Sequence, residues 1–320
     1  MLPSPLVAMK RPFAGTLHPQ AEALRLYGRA WIQQIGLVQS AADLDRFDAA
    51  LYWQLVAEVY PTAPWEVLTL AHDWSCWGFY VDDFDDSSPI AHQPGALQSF
   101  FEQVLAILRD QPLPPDPPLL LRVLWDIWQR MRRHSDSIWQ QRFHATLAES
   151  LAAWKWEAQN RVAQHIPAVQ DYLVQRRKTS GWLTLALFVD LAEGRTLPEY
   201  LYQWPLFRQL LDSANNVICW SNDLYSYAKE RVFGEVNNLI PVIQAAYHCN
   251  EEEAIQQVVT WHNDALHECS QWGHLVHSFS LAEPGDSDHL QKYLAFCKHA
   301  IAGNDAWTQI SGRYQRPDAK

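Results

Sequence analysis

Apolar residues recur at spacings of three and four along nearly the whole chain of 320 residues. This period matches one face of an α-helix, whereas a half-buried strand alternates every second residue. Glycine is scarce, with 12 residues, and the proline-rich stretch at 112–118 must be a loop. We therefore predict an all-α fold with helices over 19–35, 41–60, 64–86, 95–110, 117–134, 137–164, 168–191, 198–230, 251–280 and 286–314.

The organisation of the chain is predicted to be simple. No internal repeat, long linker or shift in composition divides it. We predict one helical domain over residues 16–320, preceded by a poorly ordered arm at 1–15 that contains three prolines. The helix at 198–230 is apolar almost to its polar end, so we expect it to lie buried at the centre of a bundle.

Charge and cysteine usage limit the partners and the location. The formal net charge is −11, which argues against nucleic acid because its phosphates require a basic face. An acidic protein that binds a phosphate ester would need metal cations between them. The five cysteines form no CxxC pair, so we expect free thiols in a reducing cytoplasm. Neither a signal peptide nor an apolar run of transmembrane length is found in the sequence.

An acidic cluster follows an aromatic helix at VDDFDDSSP, residues 81–89. Asp82, Asp83 and Asp86 fall within one arc of about 100° on a helix. Their mutual repulsion, at the negative end of the helix dipole, would be relieved by a cation, and Mg²⁺ prefers carboxylate oxygens. The alternative is a solvated acidic loop, and the role of Asp85 is left open.

A second polar cluster ends the predicted central helix at NDLYSYAKE, residues 222–230. Asn222, Ser226 and Glu230 are four residues apart and therefore share one helix face. An amide oxygen, a hydroxyl and a carboxylate can together chelate Mg²⁺. Lys229 lies beside them and could reach a phosphate oxygen as a point charge. The alternative is a polar helix end that is merely capped or solvated.

These two clusters, about 140 residues apart, resemble the metal-binding motifs of bacterial class I terpene synthases, DDxxD and (N/D)Dxx(S/T)xxxE. The segment YLVQRRKTSG at 172–181 is similar to the one that carries the family's diphosphate-sensing arginine, which would be Arg176, 46 positions before Asn222. The resemblance implies that Thr179 is the linker residue, that Ser180 is the effector residue and that Gly181 breaks the helix there. Arg313 and Tyr314 resemble the terminal pair that binds diphosphate.

The resemblance implies a single α-helical bundle of the class I terpenoid synthase type with a central cavity. It also implies three Mg²⁺ ions, for which Mn²⁺ can substitute, held by Asp82, Asp83 and Asp86 and by Asn222, Ser226 and Glu230. The substrate would be a linear prenyl diphosphate gripped by Arg176, Lys229, Arg313 and Tyr314. Its ionisation and cyclisation would release diphosphate.

Farnesyl diphosphate, giving a sesquiterpene, is the expected substrate, and a diterpene synthase acting on geranylgeranyl diphosphate is the alternative. A chain-elongating prenyltransferase and a non-catalytic helical binding protein are weaker alternatives. The oligomeric state is left open, with a homodimer as one option. Residues expected to line the cavity, each with ordinary core packing as the alternative, are Ser75, Gly78, Phe79, Asn215, Ile218, Cys219 and Trp307.

Overall fold

The computed structural model describes residues 8–87, 94–232, 234–279 and 284–315, apart from the side chains of 84–87, 94, 95, 284 and 315. Within these ranges there is no β-strand, which confirms the predicted all-α fold. The helices are α1 (Ala21–Gln34), α2 (Ala41–Ala50), α3 (Tyr52–Val59), α4 (Trp65–Ser87), α5 (Pro94–Leu108), α6 (Leu119–Arg133), α7 (Ser137–Ala163), α8 (Val169–Thr179), α9 (Trp182–Ala186), α10 (Phe188–Glu193), α11 (Glu199–Tyr202), α12 (Pro205–Val232), α13 (Leu239–Tyr247), α14 (Glu251–Ser278), α15 (Pro284–Ile310) and α16 (Gly312–Gln315).

Several predicted helices are interrupted where the backbone leaves the helical region. Leu51 adopts a left-handed conformation with φ 55° and separates α2 from α3. The predicted helix at 168–191 is three helices, α8 to α10, and the first break is at Gly181. The short helix α13 was not predicted at all, although Asn238 caps its start. Periodicity finds long apolar faces better than it finds such breaks and short elements.

Contacts within the chain group its residues into two compact units. We call Met1–Gly15, Asn160–Leu183 and Leu197–Lys320 the C-terminal unit, and Thr16–Gln159 with Thr184–Thr196 the N-terminal unit. Residues 1–7 of the predicted arm lie outside the described residues. The described part of the arm packs on the rest of the C-terminal unit, where Met9 is buried and the Lys10 amide donates to Asn263 Oδ1 at 2.9 Å. The prediction of one domain stays a prediction.

In the N-terminal unit, α4 is packed against α1, α3, α6 and α10. The rings of Trp74 and Trp77 stack with their centroids 5.0 Å apart, and both are buried. Asp73 is fully buried and accepts hydrogen bonds from Arg130 and Tyr27, each at 2.7 Å. A buried carboxylate needs such partners, because leaving it unpaired would be strongly unfavourable. These contacts hold the helix on which Asp82 and its neighbours lie.

In the C-terminal unit, α12 is the central element and contacts α8, α11, α13, α14, α15 and α16. Its apolar side includes Phe207, Leu210 and Leu211, which are fully buried. Burying each such side chain contributes roughly 1.5–3 kcal/mol. The position of α12 at the centre of this unit therefore agrees with the expectation from its apolar sequence. None of the described helices is long and apolar enough to cross a lipid bilayer.

Candidate active site

A break between α8 and α9 lies at the predicted effector region. Gly181 has φ +68°, a left-handed conformation that glycine adopts without penalty. A Cβ at this position would meet no atom within 4 Å, so the backbone conformation, and not lack of space, selects glycine. Because α8 stops at Thr179, the carbonyl groups of its last turn need partners outside the helix.

Side chains of α12 provide those partners. Asn215 is fully buried and donates through Nδ2 to the carbonyl of Arg177 at 2.7 Å. Its Oδ1 lies 2.9 Å from the hydroxyl of Ser180, which can donate to it. Cys219 Sγ lies 3.6 Å from the carbonyl of Arg176. Asn215 and Cys219, which were expected to line a cavity, therefore hold the end of α8 on α12.

The predicted sensor arginine lies directly on the second predicted metal motif. Arg176 donates through Nε to Asp223 Oδ1 and through a terminal nitrogen to Asn222 Oδ1, both at 2.9 Å. Asn222 donates through Nδ2 to the hydroxyl of Tyr314 at 2.7 Å. Three predicted site residues that lie far apart in the sequence, at 176, 222 and 314, are thus joined by hydrogen bonds.

Asp223 connects three helices and was given no role by the sequence. It is buried, and besides Arg176 it accepts a hydrogen bond of 2.6 Å from Tyr172 Oη and one of 3.2 Å from the backbone amide of Leu239. These three donors, one of them charged, give the buried carboxylate the hydrogen-bond partners that it needs. Asp223 thereby ties α8 and the start of α13 to α12.

The remaining motif residues, Ser226 and Glu230, fit a divalent cation. Burial raises the pKa of Glu230 to about 7, and a hydrogen bond from Asn238 only partly offsets this. The hydroxyl of Ser226 is buried and lies close to the Glu230 carboxylate. A cation would stabilise the ionised form of Glu230 and could also bind the Ser226 oxygen.

The predicted ligand set depends on amide and hydroxyl oxygens. Among the described residues, no three His, Cys, Asp or Glu side chains lie together closely enough to form a metal site. Asn222, Ser226 and Glu230 contribute only one carboxylate between them. Mg²⁺ accepts such hard oxygen ligands and usually keeps water or phosphate oxygens as well.

The first motif lies at the end of α4 in the N-terminal unit. Asp82 is exposed and Asp83 half-buried, while the side chains of Asp85 and Asp86 lie outside the described ones. One turn before Asp82, the ring of Phe79 stacks on Tyr52 with centroids 4.6 Å apart. Asp82 and Asp83 therefore follow the aromatic part of α4 along the helix.

Two other predicted cavity residues on α4 differ in their surroundings. The hydroxyl of Ser75 is bonded to the carbonyl of Ala71 at 2.7 Å, so it is satisfied within its own helix. A Cβ at Gly78 would meet no atom within 4 Å, so open space adjoins that position. Of Ser75 and Gly78, only Gly78 is therefore shown to adjoin open space.

The other predicted site residues lie in the C-terminal unit. Trp307 is fully buried and meets the ring of Tyr314 edge-on, with centroids 5.5 Å apart. Ile218 is half-buried and helps to line a small pocket beside Phe13 of the N-terminal segment. Thr179 is buried, whereas Lys229 and Arg313 are partly exposed.

Comparisons with known proteins agree with this geometry. The family model for terpene synthase family 2, C-terminal metal binding, matches residues 73–268. The (+)-eremophilene synthase of Sorangium cellulosum strain So ce56 is 30% identical over 95% of this chain and 91% of its own length. A 4-epi-cubebol synthase of Streptosporangium roseum, named as cyclising (2E,6E)-farnesyl diphosphate, is 29% identical over 95% of this chain and 90% of its own.

A solved structure, germacradien-4-ol synthase from Streptomyces citricolor, has the same fold. Its TM-score is 0.82 at 23% identity, and the match covers 94% of this chain and 97% of that one. The residues matched by the family model, 73–268, include the acidic motif, the polar motif and Arg176 between them. The fold, the joined motif residues and these matches together show that the chain belongs to the terpene synthase family and is an enzyme of the carbon–oxygen lyase type that acts on diphosphates.

Proposed function

We propose that this terpene synthase uses Mg²⁺ to ionise farnesyl diphosphate and cyclises the resulting carbocation to a sesquiterpene, releasing diphosphate. The observation that carries the proposal is the contact of Arg176 with Asn222 and Asp223, which brings a phosphate-binding side chain onto the metal-binding motif. The chain length of the substrate is inferred from the relative in Streptosporangium roseum whose name states it.

The metal ligands we propose are Asn222, Ser226 and Glu230 on α12, with Asp82, Asp83 and Asp86 on α4. The half-buried Glu230 carboxylate, whose pKa is raised to about 7, and the buried Ser226 hydroxyl close to it support the first set. We propose three Mg²⁺ ions in all, with Mn²⁺ as a substitute. Bound Mg²⁺ supplies positive charge that stabilises diphosphate as it leaves.

Four side chains are proposed to bind the diphosphate: Arg176, Lys229, Arg313 and Tyr314. Arg176 has a planar fork that can donate to two phosphate oxygens at once, whereas Lys229 offers a compact charge. Tyr314 can donate through the hydroxyl that now accepts from Asn222. Donors held in place before the reaction stabilise the charge that grows on the leaving group.

The segment Thr179–Gly181 is proposed to control where ionisation occurs. Gly181 interrupts the helix, and the resemblance assigns the carbonyl of Ser180 to the reacting allylic carbon. Beyond it, the hydrocarbon chain needs apolar surroundings that do not quench a carbocation. Aromatic faces such as those of Phe79 and Trp307 can stabilise a cation through their π electrons.

Direct assay tests this proposal. Purified protein with Mg²⁺ is incubated with geranyl, farnesyl or geranylgeranyl diphosphate, and hydrocarbon extracts are examined by gas chromatography–mass spectrometry. A sesquiterpene from farnesyl diphosphate is expected. A product from geranylgeranyl diphosphate alone would assign a diterpene synthase, and no terpene from any of the three would refute the proposal.

We also propose a cytoplasmic location. The five cysteines are all free thiols, as is usual in a reducing compartment. Localisation of a tagged chain by fractionation of the producing cell tests this.

A further inference from the structure

Asn238 begins the helix that the sequence did not predict. Its backbone is extended, with φ −141° and ψ 143°, and its Oδ1 accepts a hydrogen bond of 2.9 Å from the amide of Ile240. This is the usual geometry of an N-cap asparagine. Such residues are usually exposed, but Asn238 is only 1% exposed. Its side-chain amide must therefore find protein partners for its hydrogens.

Both hydrogens of that amide are used. Nδ2 donates to Glu230 Oε2 and to the carbonyl oxygen of Asp223, each at 2.9 Å. An asparagine side chain carries two donor hydrogens and one acceptor oxygen, and here each of the three has a hydrogen-bond partner. The cap of α13 thus also holds the carboxylate at the end of the motif on α12.

The loop before Asn238 is fixed from the other side. Arg161 forms an ion pair of 2.8 Å with Glu235, and Asn160 donates to Asn237 at 3.0 Å. Glu235 also accepts the backbone amides of Val236 and Asn237, at 2.9 and 2.8 Å. These contacts restrain the backbone that presents Asn238, so its amide cannot easily follow a displaced Glu230.

We propose that Asn238 is a positioning residue that holds the carboxylate of Glu230 in the orientation in which it binds a divalent cation. This rests on the proposed metal role of Glu230. Carboxylate ligands are themselves oriented by hydrogen bonds from a second layer of residues, and loss of such a partner typically weakens metal binding about 10–100-fold. Asn238 supplies that bond from a buried, anchored helix start.

Two substitutions separate capping from positioning. Asn238→Ser and Asn238→Asp both keep an oxygen that can cap α13. Both remove the amide N–H donors that bond Glu230 and Asp223; serine leaves only a shorter hydroxyl, and aspartate also sets a second carboxylate against Glu230. We expect the serine variant to bind Mn²⁺ about 10–100-fold more weakly than the unaltered chain, and the aspartate variant more weakly still.

The chain offers a matched control. Asn250 caps α14 in the same way, with Oδ1 accepting from the Glu253 amide at 3.0 Å, but it is exposed, and among the described residues its side chain is bonded only within that capping box. Asn250→Ser and Asn250→Asp make the same chemical changes at a helix start where the capping partner of the asparagine side chain is Glu253 and not a residue of the motif. They are expected to leave Mn²⁺ binding unchanged.

The readout is a titration of Mn²⁺ followed by electron paramagnetic resonance, with inorganic diphosphate present and no substrate. Melting curves show that each variant is folded. Unchanged Mn²⁺ affinity in folded Asn238 variants would overturn the positioning role. So would failure of both to fold while the Asn250 variants fold, because positioning predicts a folded protein that binds weakly. Absence of Mn²⁺ binding by the unaltered chain would instead refute the proposed function.

Discussion

The guanidinium group of Arg176 donates a 2.9 Å hydrogen bond to Oδ1 of Asn222, the same oxygen that the metal motif would offer to a cation. The amide nitrogen of Asn222 donates in turn to Tyr314. One side chain therefore links the arginine of α8 with the tyrosine of α16. An amide oxygen has two lone pairs, so Asn222 Oδ1 could bind a cation while it accepts from Arg176, which would keep the guanidinium group beside the proposed metal site.

Asn222→Ala and Glu230→Ala should abolish turnover while leaving the fold intact. Each removes an oxygen that we assign to Mg²⁺, and loss of one group that stabilises a leaving charge reduces rates by about 10²–10³ or more. Product formation from farnesyl diphosphate and far-ultraviolet circular dichroism measure the two effects. Glu268→Ala, at an exposed position of α14, is the control that should stay active. A fully active Asn222→Ala or Glu230→Ala variant would refute the assigned metal role.

Arg176→Lys should impair both stability and catalysis although it keeps the positive charge. Lysine has no planar fork and cannot donate to Asp223 and Asn222 from fixed directions. A weakened bond to the buried Asp223 should lower the unfolding free energy by about 1–3 kcal/mol. Arg177→Lys is the neighbouring control, since Arg177 contacts Asn216 instead. Urea unfolding and kcat/KM are measured for both variants. Equal effects of Arg176→Lys and Arg177→Lys would contradict the role of Arg176.

Mg²⁺ and inorganic diphosphate should raise the melting temperature together much more than either does alone. A ligand that binds only the folded chain at about 100 times its Kd adds about 2.7 kcal/mol of stability. Both ligands are needed together because Mg²⁺ must lie between the carboxylates of this acidic chain and the anionic diphosphate. Asn222→Ala should reduce the shift. No shift in the unaltered chain, measured by differential scanning fluorimetry, would count against diphosphate binding.

The sequence predicted the site better where residues follow a helical period than where they meet across helices. Asn222, Ser226 and Glu230 could be placed on one face because four-residue spacing is a local property. The resemblance located Arg176, and the structure places it on Asn222. Asp223 has its side chain on another part of α12, and nothing in its spacing indicates contact with Tyr172.

The start of α13 at Asn238 carries a signal in the sequence. Asparagine directly before the apolar run LIPVI is a recognised helix-start signal, and it would have predicted α13. Its bond to Glu230 could not have been predicted in the same way. That contact depends on how the chain returns after the end of α12, which is a tertiary property. Of the two breaks, the one at Gly181 agrees with glycine's tolerance of a left-handed backbone, whereas leucine at position 51 has no such local preference for its φ of 55°.

Tyr172→Phe should destabilise the C-terminal unit without any change in the metal ligands. It removes a 2.6 Å hydrogen bond to the buried Asp223 and leaves that carboxylate with one donor fewer. Losing a partner of a buried charged group lowers stability by about 1–3 kcal/mol. Tyr227→Phe is the control: its hydroxyl also bonds a carboxylate, that of Glu251, but the Glu251 side chain is 44% exposed. Urea unfolding should show the larger loss for Tyr172→Phe, and equal losses would contradict the importance of burial here.

Alanine at the two open glycines should change stability in opposite directions. Neither Gly78 nor Gly181 has an atom within 4 Å of an added Cβ, so no clash complicates the comparison. Gly181 has φ +68°, where alanine is strained by about 1–2 kcal/mol, so Gly181→Ala should destabilise the protein. Gly78 lies within α4, where alanine is favoured over glycine by about 0.8–1.0 kcal/mol. Gly78→Ala should therefore raise the free energy of unfolding measured in urea. A methyl group that enters the hydrocarbon cavity should also alter the ratio of terpene products, which mass spectrometry measures. A destabilised Gly78→Ala would show that the space beside this residue is filled in the folded protein.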